Sequence, residues 1–194
     1  MFFKHLAVGP MMANCFILGD ENTGEAVVID PGGDADSIAF ELDRAALTLT
    51  AIVLTHGHWD HTAGAAELKR LAGGRLLMHA SGDSRGLGAD GLLVEGDRVR
   101  FGEHSLKVLE TPGHSPDGIS LYLAEAEVVF SGDLLFAGSV GRTDMPGGNM
   151  EVLRESVRDK IFTLPKETTV LPGHGPMTTV EQERQLNPFL GSLE

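Results

Sequence analysis

The chain has 194 residues, 42% hydrophobic and 22% charged, which suits one domain with a real core, expected over residues 1–194. Its formal net charge is −13, which argues against a nucleic-acid partner, since phosphate binding needs a basic patch. In chain order, Cys15–Leu18 and Ala26–Asp30 are apolar runs separated by the turn-rich segment Gly19–Gly24, which predicts a hairpin. Pro31-Gly32-Gly33 ends it. Asp34 or Asp36 then caps a helix through about Ala46, with Ile38, Leu42 and Ala45 or Ala46 on one face. Ala51–Thr55 reads as a short buried strand, followed by a helix over about Thr62–Leu71 that Gly73-Gly74 stops. Strands are expected at Leu76–Met78, Leu92–Val94, Arg98–Phe101, Leu106–Glu110, Ile119–Leu123 and Val128–Phe130. A glycine-rich loop covers Gly138–Gly148. Helix returns over about Met150–Phe162, then a strand at Thr169–Leu171 and a last helix at about Val180–Leu186. Two halves emerge, each with strands first and helices after.

The chemistry concentrates in Thr55-His56-Gly57-His58-Trp59-Asp60-His61, where three imidazoles and a carboxylate occupy six positions. His114, Asp133 and His174 follow, each just after a glycine. Each candidate appears where an apolar strand ends and a turn begins: Val53-Leu54-Thr55 leads to His56, Val108–Gly113 to His114, Val129–Gly132 to Asp133, and Val170–Gly173 to His174. Strand ends are rigid and fix ligand geometry, and adjacent glycines allow close approach of backbone to an ion. Five His and two Asp suffice for two divalent ions that share a carboxylate. With no cysteine in the set the ligands are N and O only, which points to Zn²⁺ first, then Fe or Mn²⁺. His56 and His58 can converge on one ion. Asp60 and His61, at the start of the next helix, point to a second. His114 and His174 each add an imidazole, and Asp133 can bridge through its two oxygens. Without a metal, burying this cluster would leave costly unpaired groups.

The other histidines, His5, His79 and His104, read as surface or internally satisfied residues, with His79 the nearest to a supporting role. Arg142 has two readings: a contact to a substrate carboxylate, or an internal pair with Asp144 that shapes the loop. Trp59 either lines the pocket mouth or packs on the helix start. Cys15 reads as a small core residue. A lone cysteine agrees with a reducing cytoplasm. No long apolar run or export signal is read, so no membrane partner is expected.

Thr55–His61 resembles the T-H-x-H-x-D-H signature of the metallo-β-lactamase-fold hydrolases. Thr111–Ser115, Ser131-Gly132-Asp133 and Pro172-Gly173-His174-Gly175 resemble its later motifs, in order and over nearly the whole chain. The resemblance implies an α/β (α+β) chain folded as a four-layer αβ/βα sandwich with a dinuclear site on one edge. It implies His56, His58 and His114 on the first metal, Asp60, His61 and His174 on the second, and Asp133 between them. Gly141-Arg142-Thr143-Asp144 and the Glu183–Phe189 ending resemble the short glyoxalase II-like (hydroxyacylglutathione hydrolase-like) branch. The chain departs from the longer enzymes of that branch. It has one tyrosine, Tyr122, and no basic cluster near its end of the kind that grips glutathione in their C-terminal helical extension.

The implied activity is metal-dependent hydrolysis of a small-molecule thioester such as S-lactoylglutathione, with a metal-bound hydroxide as nucleophile, because a bound divalent ion lowers the pKa of water toward about 7. Asp60 and Asp133 are the catalytic carboxylates in this reading; Asp60 would orient or deprotonate the water if the second ion were absent. The rival within the superfamily is a mononuclear-iron persulfide dioxygenase, which resembles the chain at His56, His114, Asp133 and Gly141–Asp144. A β-lactamase would call for an export signal, and a nuclease for a cap domain and basic surface. A non-enzymatic metal-binding protein is the remaining class.

Overall fold

Side-chain alternation along the strands divides the apolar residues between three cores. A computed structural model describes residues 1–191, with the side chains of 83–85 left out of the description. The first sheet has strand order β1 (Phe2–Val8), β2 (Ala13–Gly19), β3 (Glu25–Ile29), β4 (Thr48–Val53), β5 (Arg75–His79) and β6 (Gly91–Leu93). It begins as an antiparallel meander and turns parallel from β3 onward. Helices α1 (Ala35–Arg44), α2 (Trp59–Thr62) and α3 (Ala65–Ala72) make the crossovers. The second sheet contains β7 (Arg98–Phe101), β8 (His104–Glu110), β9 (Ile119–Leu123), β10 (Val128–Gly132), β13 (Thr169–Pro172) and β14 (Thr178–Thr179). It also starts as a meander. It turns parallel at the β10–β13 pair, after a crossover through α4 (Met150–Ser156), and α5 (Val180–Leu186) follows β14. A two-stranded ribbon, β11 (Leu135–Phe136) and β12 (Ser139–Val140), lies between β10 and α4.

Successive residues point to opposite faces of a strand, so each central strand feeds two cores. Cys15, Ile17, Ala26 and Val28 pack with Ile38, Leu42 and Leu68 of α1 and α3. Phe16, Leu18, Val27 and Ile29 face Phe101, Leu106, Leu121 and Phe130 of the other sheet. Val129 and Val170 pack against Leu153, Val157, Ile161 and Val180. The result is helix, sheet, sheet, helix: the four-layer αβ/βα sandwich. Burial on both faces explains why β2 and β3 read as unbroken apolar runs.

Several local expectations are refined. The helix expected over Thr62–Leu71 is two short helices, because the Gly64 amide bonds Pro31 O at 2.9 Å instead of continuing the helical ladder. Asp34 is the residue before α1, but its side chain accepts from the Gly9 amide (2.8 Å) and does not cap the helix. The helix from Met150 changes at Val157–Ile161 into a wider π-turn, with Phe162 N bonded to Val157 O at 2.8 Å. The sequence pattern reads the first 30 residues as strands without bounding β1, an edge strand carrying Lys4 and His5, and it does not show the short β11, β12 and β14. No helix among the described residues is long and apolar enough to cross a membrane.

Candidate metal centre

Strand direction explains why the candidate ligands meet. β3 and β4 run parallel, so Asp30 and His56 leave the same edge of the first sheet. β8 and β10 both pair antiparallel with β9, and β13 runs parallel to β10, so His114, Asp133 and His174 leave one edge of the second. The two edges face each other. All seven predicted residues come together there, in three overlapping triads whose donor atoms lie within 4.8 Å of one another: His56/His58/His114, His56/His61/Asp133 and Asp60/His61/His174.

Hydrogen-bond partners fix which ring nitrogen faces the centre. His114 Nδ1 donates to Arg142 O (2.7 Å), which turns its Nε2 toward His58 Nδ1 at 2.9 Å. His61 Nδ1 donates to Asp30 Oδ2 (3.0 Å). The Thr55 hydroxyl donates to the same oxygen (2.6 Å) and is 3.1 Å from His56 Nδ1, which therefore donates to it. The inward nitrogens, His56 Nε2 and His61 Nε2, are buried without a hydrogen-bond partner, as is Asp133 Oδ1. Asp133 faces both clusters, with Oδ1 3.3 Å from His61 Nε2 and Oδ2 3.7 Å from His114 Nε2 and 3.9 Å from His174 Nε2. Asp60 Oδ2 lies 3.0 Å from His174 Nε2 and 3.7 Å from His61 Nε2. Lone pairs and carboxylate oxygens converging in a buried space, with their outer atoms tied down, fit divalent cations. Gly173 keeps the space open: a Cβ there would collide with Asp133 Oδ1 and His61 Cε1.

The titration behaviour follows the same geometry. Burial pulls the His61 imidazole down, but the Asp133 and Asp30 carboxylates beside it outweigh that and raise it from 6.5 to about 10. Without a cation, His61 thus holds a proton between the two carboxylates. His56 is pushed well below its ordinary range, by burial first and then by the positive charge of His61. Burial alone would raise Asp133, yet its contact with His61 and the surrounding imidazoles hold it below the usual carboxylate range.

Two contributors escaped the sequence reading. Asp30 is 2% exposed and accepts from the Thr55 amide (2.7 Å), the Thr55 hydroxyl and His61. Asp117 is equally buried and accepts from the Gly57 amide at 2.8 Å, inside the His56–His61 turn. Asp30 ends an apolar strand before Pro31-Gly32-Gly33, the same local setting as the predicted ligands, and that was the available signal. Arg142 takes the internal alternative: its guanidinium pairs with both oxygens of Asp144 at 2.7 Å, while its carbonyl orients His114. His5, His79 and His104 stay outside the centre, bonded to Asn14, to Ser81 and Glu110, and to Glu125. A cleft of about 310 Å³ opens over the centre, lined by His58, Asp60, His114, Asp133 and His174 and by Met11, Trp59, Arg142 and Met145.

Comparison with known proteins agrees with this geometry. Residues 8–174 match the family described as "Metallo-beta-lactamase superfamily". The chain is 38% identical to the "Probable metallo-hydrolase YqgX" of Bacillus subtilis, over all of this chain and 99% of that protein. It is 34% identical to the "Hydroxyacylglutathione hydrolase GloC" of Haemophilus influenzae, over 99% of each. It is 37% identical to the mitochondrial "Persulfide dioxygenase ETHE1" of Mus musculus, over 90% of this chain and 70% of that one. Among solved structures, "BLEG-1 B3 metallo-beta-lactamase" superposes with a TM-score of 0.89 at 38% identity, over 98% of this chain and 100% of that one. "TTHA1623 in a di-iron-bound form" gives 0.82 at 36%, with the same coverage.

Proposed function

The chain belongs to the metallo-β-lactamase superfamily, and from that premise we propose that it hydrolyses thioesters at a dinuclear metal centre. In this reading His56, His58 and His114 would hold one ion, and Asp60, His61 and His174 would hold the other. Asp133, which faces both clusters, would serve both ions. A divalent ion at such a site lowers the pKa of a coordinated water toward about 7 and polarises a carbonyl oxygen; Zn²⁺ is the first candidate, with Fe and Mn²⁺ compatible with the same N/O donors. Asp30 supports both halves, directly through His61 and through Thr55 to His56. The Arg142 carbonyl locks His114 in the tautomer that presents Nε2. The leaving group of a thioester is a thiolate, stable enough to depart without a dedicated acid, and no unassigned proton donor is needed in the cleft. A cytoplasmic setting is part of the proposal, and cell fractionation tests it.

The observation that carries the proposal is the set of buried, unpartnered donor atoms, His56 Nε2, His61 Nε2 and Asp133 Oδ1, facing one space. The test is hydrolysis of S-lactoylglutathione by metal-loaded protein, followed as loss of thioester absorbance, with a chelator-treated control. Chelator-sensitive turnover in the ordinary enzyme range, kcat of about 1–10³ s⁻¹, is the expected result for a good substrate. A second reading draws on the 37% identity to persulfide dioxygenase ETHE1. It expects one tightly bound iron and oxygen consumption with a persulfide, and no thioester cleavage.

A further inference from the structure

We infer that the cleft selects its thioester by an uncharged, apolar acyl arm and makes little use of a glutathione carrier. The inference rests on the thioester-hydrolase reading and adds the substrate class to it. Three large apolar side chains rim the cleft: Met11 is 56% exposed, Trp59 57% and Met145 38%. They come from three separate segments, the β1–β2 turn, the start of α2 and the loop before α4. Apolar side chains gathered at the mouth of a cleft are the pattern that marks a ligand-binding groove. Trp59 lies between His58 and Asp60 in the chain, so an arm laid across it extends directly from the reacting centre.

The charges point the same way. Glutathione carries two carboxylates and needs cations to hold them. Among the described residues lining the cleft, Arg142 is the only Lys or Arg, and its charge is already paired with Asp144, which takes its Nε and Nη2 donors at 2.7 Å. The histidines of the lining are accounted for in the metal cluster. What remains on the rim is neutral thioether and indole, surfaces that gain from covering methylenes. Met side chains adapt to arms of varied shape, so a range of acyl lengths is accommodated.

The experiment compares four substrates on metal-loaded protein: acetyl and hexanoyl thioesters of N-acetylcysteamine, and the same two of glutathione. A fully buried methylene is worth about fourfold, so a half-covered one gives about twofold. Four methylenes therefore raise kcat/KM at least about tenfold from acetyl to hexanoyl. At equal acyl length, exchanging glutathione for N-acetylcysteamine changes kcat/KM by less than about threefold. The hexanoyl-to-acetyl ratio falls toward one in Trp59→Ala and is retained in Trp59→Phe. A second readout needs no turnover: the inert S-hexyl thioether of N-acetylcysteamine changes the emission of Trp59, the single tryptophan of the chain. A flat acyl series, or a tenfold preference for the glutathione arm, overturns the inference. If no thioester is cleaved but the inert thioether still perturbs Trp59, the hydrolase reading fails and the apolar cleft stands. If neither occurs, both fail.

Discussion

Replacing Asp30 by Asn tests how the centre is held together. The carboxylate accepts three hydrogen bonds, from the Thr55 amide at 2.7 Å, the Thr55 hydroxyl at 2.6 Å and His61 Nδ1 at 3.0 Å. Asn has nearly the same shape but a single acceptor oxygen. If that oxygen keeps the Thr55 amide, the NH₂ group confronts two donors, the hydroxyl and the imidazole N–H. Leaving such buried groups unsatisfied costs about 1–3 kcal/mol each. Loss of the partner behind a ligating imidazole lowers metal affinity by about 10–100-fold. Because Asp30 reaches His61 directly and His56 through Thr55, the D30N variant should weaken both ions. Urea unfolding of the metal-free proteins reads the stability term, and competition against a calibrated chelator reads the two affinities. Unchanged affinities, within twofold for both ions, would refute this account of how the ligands are oriented.

Asp133→Ala removes the carboxylate that faces both clusters, and metal content and turnover should fall together by orders of magnitude; full turnover in a metal-replete variant rules out the bridging role. Gly173→Ala places a methyl group against Asp133 Oδ1 and His61 Cε1, and elemental analysis should find its metal content reduced at least about tenfold, as expected when ligand geometry is lost. Arg142→Ala breaks a pair whose members are both more than 60% exposed, so the melting temperature should hold. KM should hold too, because the backbone carbonyl that orients His114 remains. In metal-free protein, His61 titrates near 10, above its ordinary 6.5. Its stabilisation is complete below pH 6.5 and declines as pH rises toward 10. His56, shifted downward, adds a slope of opposite sign while its unfolded form titrates around 6.5, and that slope is spent by about pH 7.5. Up to pH 9 the Cys15 thiol, raised by burial, adds little. Thermal melts between about pH 7.5 and 9 should therefore drift downward without metal and stay flatter with it.

The cluster was legible because its candidate ligands share a local rule that a sequence displays: an apolar strand, a glycine turn, then His or Asp. That rule located His56, His114, Asp133 and His174, and the density of donors from His56 to His61 supplied the rest. Asp30 obeys the same rule but was absorbed into the end of its strand, since a single Asp before Pro-Gly-Gly also reads as an ordinary turn. Asp117 offers no such pattern; its importance comes from reaching across to the Gly57 amide, 60 residues away. The long helices and central strands followed from periodicity. The break at Gly64 did not, because its cause is a bond to Pro31 from a distant loop. Strand β1 carries polar residues on an edge and buries few of them, so its pairing with β2 outweighs its pattern. Periodicity located the strands, but the packing of two sheets between helices was expected only from the resemblance, because it depends on which strand faces feed which core.

A pair of ions working on a thioester leaves a stoichiometry that can be counted. Its most direct test is stepwise addition of Zn²⁺ to chelator-stripped protein, with bound metal and thioester hydrolysis measured on the same samples. Binding should saturate at two ions per chain, with hydrolysis appearing as the centre fills. Saturation at one ion, or two bound ions without cleavage of any thioester, would contradict it.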